Sequence, residues 1–448
     1  MTALTAELSR ALAGELAAAV PLAVAFSGGR DSSVLLHALA ALRADYPALR
    51  LRALHVEHDL QPAAPAWAAH CAQFCAQLAV PFAHLRVQVP RAAGRGLEAA
   101  ARTVRYAALR AALQTGECLL TAHHAGDQLE TLLMHLRRGS GVDGMAGIPA
   151  RSDFPPGTLL RPLLGVAPAS IEDWAVAAGI RYIEDPSNLD PAVDRSYLRG
   201  TVVRALSGRW PDFAAGAAAS ARRLAEAASL LDALAAGDAQ ACQVERGRIE
   251  LAAFAALEPA RQRLLLRFLC RREGLALPPR STLEAGLPML LAAAWDRNPR
   301  LDWPGGELRR WRGRLYLAAP LPVPRAAPGN LLLRLDAPLQ LGPPRGQLRL
   351  RPAAGAAGLA GALAAGGLAV RFRAGGESLR PAGDAHQRTL KQLWQGFGLV
   401  PWMRGHVPLL YAGNRLVAVA DLWLAADACA APGEAAFAVE WRDHAPLR

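Results

Sequence analysis

The sequence predicts an α/β protein: an N-terminal doubly wound parallel sheet, then a helical middle domain, then a small α+β C-terminal domain. Three observations carry this. Short apolar runs alternate with helical stretches up to about Gly216, the strand signal then stops, and short strand-like runs return after a Pro-rich segment. In order, residues 22–26 are an apolar run that ends at Ser27-Gly28-Gly29, and 31–43 read as a helix. Residues 51–58 read as a strand, 64–78 as a helix, 82–89 as a strand and 97–113 as a helix. Residues 118–123 form the fourth strand and 126–137 the helix after it. Strands and helices alternating at these lengths imply a parallel sheet covered on both faces. Ligands of such sheets sit at the carboxyl ends of the strands. Residues 220–236 carry Leu224, Leu230, Leu231 and Leu234 on one side, and 261–272 form another helix. Residues 320–328 are a linker, 331–335 and 348–350 are strand-like, and a compact segment closes the chain from Ala369. The expected domains are 1–215, 216–320 and 330–448.

Composition narrows the function. The 448 residues are 52% hydrophobic and 20% charged, enough apolar matter to bury cores and too much for disorder. Net charge is +12, and Lys391 is the single lysine among 50 cations. A Walker A loop and a protein kinase each require a lysine at the phosphates, and Thr389-Leu390-Lys391-Gln392 fits neither. Six scattered cysteines without a Cys-x-x-Cys pair argue against a disulfide framework, a four-cysteine zinc site or a cysteine-held cluster. The uncharged run 352–370 has membrane length but five glycines and little Leu, Ile or Phe, so no span is expected. No basic, apolar and cleavable leader opens the chain, and the cytoplasm is the expected compartment. Residues 1–217 hold 20 cations and 19 anions, whereas 218–330 hold 17 and 11. A large anionic partner is therefore expected on the appended parts, with the chemistry in the first domain; plain solubility is the alternative.

The strongest motif is Ser27-Gly28-Gly29-Arg30-Asp31-Ser32-Ser33, directly after a strand and opening a helix. Two glycines admit close backbone approach, a helix N-terminus offers free N–H groups, and three serines add hydroxyls. That is a phosphate cradle without a lysine. The string resembles the PP-loop of the N-type ATP pyrophosphatases, which split ATP between the α and β phosphates and adenylate a substrate. His123-His124-Ala125-Gly126-Asp127-Gln128-Leu129-Glu130 follows the fourth strand and should reach the same sheet end. Asp127 and Glu130 share a helix face, and with Asp31 they suit an oxygen-ligand Mg²⁺ site bridging ATP phosphates. The plain alternative is that they cap the helix. Gly139-Ser140-Gly141-Val142-Asp143-Gly144 matches a dinucleotide fingerprint but follows a helix, so it reads as a loop.

His55-Val56-Glu57-His58, the 121–141 string, Arg161-Pro162-Leu163-Leu164 and Glu184-Asp185-Pro186-Ser187-Asn188, in this order, resemble the tRNA(Ile)-lysidine synthetases. The tail does too, through Val370-Arg371-Phe372-Arg373, Glu377, Arg380-Pro381, Leu390-Lys391 and Val400-Pro401-Trp402. The resemblance spans about 1–210 and 368–448. Two positions differ: Gly126 stands where the family has a first Asp, and Gly200 where it has Asn after Arg199. The resemblance implies a ligase that joins free lysine to C2 of the wobble cytidine of a CAU-anticodon isoleucine tRNA, using ATP and Mg²⁺. It implies catalytic roles for Asp31, Asp127 and Glu130, and metal contacts from Asp31 and Asp127. It implies ATP contacts from Ser27, Gly28, Gly29, Arg30, Asp31, Ser32 and His55. It also implies tRNA contacts from Arg199, Arg204, Arg371, Arg373, Arg380, Arg388, Lys391 and Arg404. No membrane partner is expected, and the oligomeric state stays open, a homodimer included. A tRNA thiolase and a non-catalytic tRNA-binding protein with a relic ATP site are the alternatives.

Overall fold

Strand β1 (Leu22–Ala25) is apolar on both faces, and both are buried. Leu22 and Val24 belong to one core and Ala23 to another. A strand at the centre of a parallel sheet has this two-sided burial. The structure is a computed structural model and describes residues 3–58, 62–90, 97–185, 194–294, 297–322, 331–353 and 358–447. The chain divides into two compact units, Met1–Leu230 and Leu231–Arg448.

In the first unit β1 pairs in parallel with β2 (Leu51–Glu57) and β4 (Cys118–Leu120), and β2 pairs in parallel with β3 (Phe82–Arg86). Strand β6 (Gly157–Leu160) extends the parallel set beside β4, and β5 (Arg151–Phe154) folds back on it as an antiparallel edge. The order is β3-β2-β1-β4-β6-β5. Helices α1 (Ala3–Ala11), α2 (Ala13–Ala17), α3 (Arg30–Ala41) and α4 (Ala64–Gln77) are followed by α5 (Leu97–Ala112), α6 (Ala125–Arg137), α7 (Val142–Met145) and α8 (Pro168–Ala177). One core gathers Leu8 of α1, Leu35 and Leu39 of α3, Phe74 of α4 and Ile171 of α8 against Val24 and Leu120. The opposite core sets Leu109 of α5 against Ala23, Leu54 and Leu119. The sheet is thus doubly covered, as expected. Chain order runs outward from β1 through β2 to β3 and then returns to β4 on the other side. The crevice at the carboxyl ends of β1 and β4 is therefore a topological switch point, the usual ligand position in such sheets.

Past α8 come α9 (Asp194–Tyr197), a π-helical turn at Leu198–Val203, α10 (Arg204–Arg209) and the long α11 (Phe213–Ala241). Gly216, where the sequence suggests a boundary, lies inside α11. Ala214 of α11 packs on Ala125 and Leu129 of α6, with Phe213 and Ala217 alongside.

The second unit carries α13 (Pro259–Arg272), the helix expected over 261–272, flanked by α12 (Leu251–Ala256) and α14 (Arg280–Ala292), which the sequence reading did not single out. It also contains an antiparallel sheet that the sequence reading did not foresee. Strands β7 (Arg248–Glu250), β8 (Arg300–Trp303), β9 (Gly306–Trp311) and β10 (Arg314–Ala318) lie in the order β7-β10-β9-β8. Leu308, Leu315 and Leu317 face Leu265, Leu266 and Leu287 of the helices in one core. The tail folds around β11 (Leu331–Leu333), β12 (Leu339–Gly342), β13 (Gly346–Ala353), β14 (Leu359–Ala360) and β15 (Leu368–Arg371). It continues through α15 (Gly361–Ala365), β16 (Ser378–Leu379), β17 (Arg388–Thr389) and α16 (Leu390–Phe397). It ends on β18 (Leu409–Ala412), β19 (Arg415–Val419), β20 (Trp423–Leu424) and β21 (Ala436–Arg442). Where described, the run 352–370 that has membrane length forms parts of β13 and β15, with β14 and α15 between. Among the described residues no helix is long and apolar enough to cross a membrane.

Candidate active site

The loop after β1 is shaped by Gly28, whose φ is +83°. A Cβ there would stand 2.5 Å from Ile183 Cδ1 and 2.7 Å from Cys71 Sγ. The Gly28 carbonyl accepts from the N–H of Ile183 at 2.9 Å, which seats the loop against the 181–185 segment. Gly29 is the N-cap of α3 and has no side chain to cap it. The first-turn N–H groups of a helix have no intrahelical acceptor. Ser27 Oγ lies 3.0 Å from Ser32 Oγ and accepts weakly from Gly29 N–H at 3.3 Å, while the Ser32 and Ser33 hydroxyls donate to the Gly29 carbonyl. His55 stands behind the loop, its Nδ1 at 2.9 Å from the Phe26 carbonyl oxygen. Burial lowers the His55 pKa against that hydrogen bond, so a neutral ring donates N–H to the carbonyl just before Ser27.

Strand β4 delivers the second string to the same end of the sheet. His124 caps α6: its Nδ1 accepts from Gly126 N–H at 3.0 Å, and Asp127 Oδ2 accepts from His124 N–H at 3.0 Å. The reciprocal arrangement is a capping box with a histidine in the usual Ser/Thr place. Gly126 makes it possible, because a Cβ there would stand 2.7 Å from His124 Cε1. The other ring nitrogen, Nε2, is 3.5 Å from Asp31 Oδ2 and 3.7 Å from Asp127 Oδ2. Burial pulls the His124 pKa down, but Asp31 and Asp127 outweigh it and hold it above its ordinary value. Burial conversely pushes Asp31 up, and His124 and Arg30 together hold its carboxyl below the ordinary value. Arg30 Nε donates to Asp31 Oδ1 at 3.1 Å.

Glu130, one turn on, is 2% exposed. Its oxygens accept from Arg199 Nε at 2.6 Å, Arg199 Nη2 at 3.1 Å and Arg195 Nε at 3.2 Å. Arg199 Nη2 also reaches Asp127 Oδ1 at 3.3 Å. Arg199 rises from the π-helical turn, a rare backbone form frequent at functional sites. In this structure it pairs with the acidic cluster, with its side chain 48% exposed. Asp31, Asp127 and Glu130 are brought together as expected. Asp31 and Asp127 fit Mg²⁺, which prefers one or two carboxylates completed by phosphate and water. Among the described residues no group of three His, Cys, Asp or Glu side chains is placed to hold a metal ion.

A cavity of about 240 Å³ adjoins this cluster, lined by Arg102, Arg138, Arg161 and Arg195 with His123 and Thr131. Burial pushes the His123 imidazole down to about 4; Asp127 works the other way and the arginines reinforce the burial. Sequence reading missed this cavity, since its cations come from four separate segments. The 139–148 segment, which reads as a loop in the sequence but contains the short helix α7, is pinned. The Gly144 carbonyl oxygen is 2.5 Å from His135 Nδ1, and the Gln128 amide pairs with both N–H and C=O of Ile148 at 2.7 and 2.8 Å. The 186–190 part of the Asp-Pro-Ser-Asn string lies outside the described residues.

The remaining cations lie elsewhere. Arg204 opens α10 and is exposed. Arg371 packs its guanidinium 4.6 Å above Tyr411 and donates weakly to the Gly413 carbonyl at 3.3 Å. Arg388 is held by Asp384 at 2.5 Å. Arg380 and Lys391 are exposed, Arg373 lies over Trp394, and Arg404 is half-buried.

Comparison with known proteins adds the following. A PP-loop domain model matches residues 3–206, a TilS substrate binding domain model 250–316, and a TilS substrate C-terminal domain model 368–441. A tRNA(Ile)-lysidine synthase of Alkalilimnicola ehrlichii is 44% identical over 96% of this chain and 96% of its own length. Those of Xanthomonas campestris and Coxiella burnetii are 41% and 39% identical, covering 95% and 88% of this chain and 96% and 87% of their own.

Proposed function

The chain belongs to the tRNA(Ile)-lysidine synthase family, and on that footing we propose the reaction its first unit carries out: ATP-dependent formation of lysidine on an isoleucine tRNA. The C2 carbonyl oxygen of the wobble cytidine in a CAU anticodon attacks the α-phosphorus of ATP, and pyrophosphate leaves. The ε-amine of free lysine then attacks C2, the C2–O bond breaks, and AMP leaves. The base now pairs with A, so a tRNA that would read AUG reads AUA.

The single observation that supports this best is the convergence of the Ser27–Ser32 cradle with Asp31 and Asp127 at the switch point. The N–H groups at the start of α3 face negative charge building on the departing pyrophosphate, where fixed donors are worth most. Mg²⁺ held by Asp31 and Asp127 would supply charge neutralisation across the phosphates. Lysine's ammonium, with an ordinary pKa of about 10.4, must lose a proton before attack. Glu130 already accepts from two guanidiniums, and both His124 ring nitrogens are engaged, so we assign proton acceptance to Asp127 and the anchoring of Arg195 and Arg199 to Glu130. The arginine-lined cavity suits the anionic anticodon loop. Two attacks at one carbon require held partners, and positioning alone can supply roughly 7–11 kcal/mol.

The cysteines support ligation over thiolation. Cys71, beside Gly28, and Cys75 are pushed up to about 12, and burial also raises Cys118, Cys242 and Cys270. A buried thiol of that kind is a poor nucleophile. The test is incubation with ATP, Mg²⁺, CAU-anticodon isoleucine tRNA and labelled lysine. Label in the nucleic acid is expected. A tRNA that stays unlabelled but gains sulfur in a parallel incubation with an added sulfide donor would favour a thiolase, and bound tRNA unmodified in both would favour a relic binding protein.

A further inference from the structure

Residues 139–148 return from the end of α6 to one wall of the arginine-lined cavity, where Ile148 stands. Two contacts tie this strap back to α6, the helix that carries Asp127 and Glu130. His135 Nδ1 donates to the Gly144 carbonyl. The Gln128 amide closes on Ile148, its Nε2 donating to the carbonyl at 2.8 Å and its Oε1 accepting from the N–H at 2.7 Å. Gln128 is 4% exposed. An amide that takes both backbone groups of one residue fixes that residue in direction as well as in distance. Gly147 is what admits it: its φ is +68°, and a Cβ there would collide with Gln128 Oε1. Backbone conformation and close approach both require glycine at that position.

The hold extends one residue further. The Pro149 carbonyl accepts from Arg161 Nη1 at 2.6 Å, and Ser152 Oγ lies 3.0 Å from the same nitrogen. Arg161 lines the cavity and is 8% exposed, and its Nε is buried without a hydrogen bond. A buried guanidinium depends on acceptors held in place, because a cation loosened from them keeps its desolvation cost and loses the compensation. The strap supplies one of those acceptors. A continuous series of contacts thus runs from α6 through Gln128, Ile148 and Pro149 to Arg161. Ile148 and Arg161 are both wall residues, and Gln128 follows Asp127 directly on α6. What Gln128 fixes is therefore the wall of the cavity relative to the acidic cluster.

We propose that Gln128 is a positioning residue for the ligation: it holds the strap so that the cavity receives the wobble cytidine in the orientation from which its C2 oxygen attacks. The substrate named here rests on the ligase reading above. Orientation is where such a residue acts, since a misplacement of about 1 Å caused far from the chemistry can cost about a hundredfold in rate.

The test uses two variants of the full chain. Gln128→Ala removes the contact from α6, and Gly147→Ala breaks it from the strap, because the new methyl displaces the end of the Gln128 side chain. Measured well below its melting temperature, each should lower kcat for tRNA-dependent pyrophosphate release about ten- to hundredfold. The Kd for tRNA should stay within about twofold, since the excess positive charge lies beyond residue 217. The KM for ATP should also stay within about twofold, since the cradle after β1 is untouched. The double variant should lose less than the product of the two, because both changes break one contact. A residue that only stabilises the fold would lower the melting temperature and leave kcat unchanged, and that result would overturn the proposal. So would a loss matched by an equal rise in the Kd for tRNA or the KM for ATP, or losses that multiply in the double variant. Where Gln128→Ala does not fold, Gly147→Ala alone decides. A wild-type chain that binds tRNA but neither releases pyrophosphate nor incorporates lysine would contradict the ligase reading itself, a result distinct from any difference between wild type and variants.

Discussion

Asp31→Ala should abolish tRNA-dependent pyrophosphate release, by about a thousandfold or more, and leave tRNA affinity within about twofold. The size follows from what the carboxylate does at once. It lies in the first turn of α3, beside the phosphate cradle, and it takes Arg30 on one oxygen and faces His124 with the other. Its loss removes one of two carboxylates suited to Mg²⁺ and the shorter of the ion pairs of Arg30 and of His124. Removing a single charge-stabilising group from a preorganised site typically costs 10²–10³ in turnover, and here a metal contact goes with it. Folding should survive, because Asp31 is about one-third exposed at 35%. Binding should survive because residues 1–217 are nearly neutral, with 20 cations and 19 anions, and the excess positive charge lies beyond them. Pyrophosphate release and filter binding, measured side by side, check both halves. Release near the wild-type rate would remove this loop from the chemistry.

Gly28→Ala should act on both stability and nucleotide use. Placing a β-carbon at φ +83° costs about 1–2 kcal/mol. The same carbon would stand 2.5 Å from Ile183 Cδ1 and 2.7 Å from Cys71 Sγ, and overpacking typically costs about 1–3 kcal/mol more. A fall in melting temperature of about 5–15 °C is expected for the first unit, with a raised KM for ATP because the cradle's backbone must shift. Adding Ile183→Ala separates the two causes. It should recover part of the stability if the clash dominates and almost none if the backbone does.

How much of this was readable depended on whether the signal was local. The Ser27–Ser33 loop is legible because strand, glycine pair, serines and helix start follow one another within a dozen residues. The parallel sheet is legible because β1 and β4 are continuous apolar runs buried on both faces, and β2 between β1 and β3 buries five of its seven residues. Strand β5 is not, since most of Arg151–Phe154 is exposed at the sheet edge and only Phe154 is buried. The middle sheet hides for a related reason. Strands β8 and β9 set arginine and acid against single buried residues such as Trp303 and Leu308, so the stretch reads as basic surface. Arg199 shows the other limit. It reads as an RNA contact in a string of cations; the fold also carries it 69 positions back to Glu130, and no spacing rule announces that pairing. His124 was within reach: a residue able to accept, with Asp127 three positions on, has the spacing of a capping box, but histidine is not the residue that pattern leads one to expect.

The most direct test of the two-step account is to withhold lysine. With ATP, Mg²⁺ and CAU-anticodon isoleucine tRNA alone, the chain should release pyrophosphate up to one equivalent per tRNA and retain AMP on the wobble nucleoside, found by mass spectrometry after nuclease digestion. Adding lysine should then release that AMP and leave lysine in its place at the same nucleoside. AMP released without lysine, or lysine found anywhere other than C2 of the wobble cytidine, would contradict it.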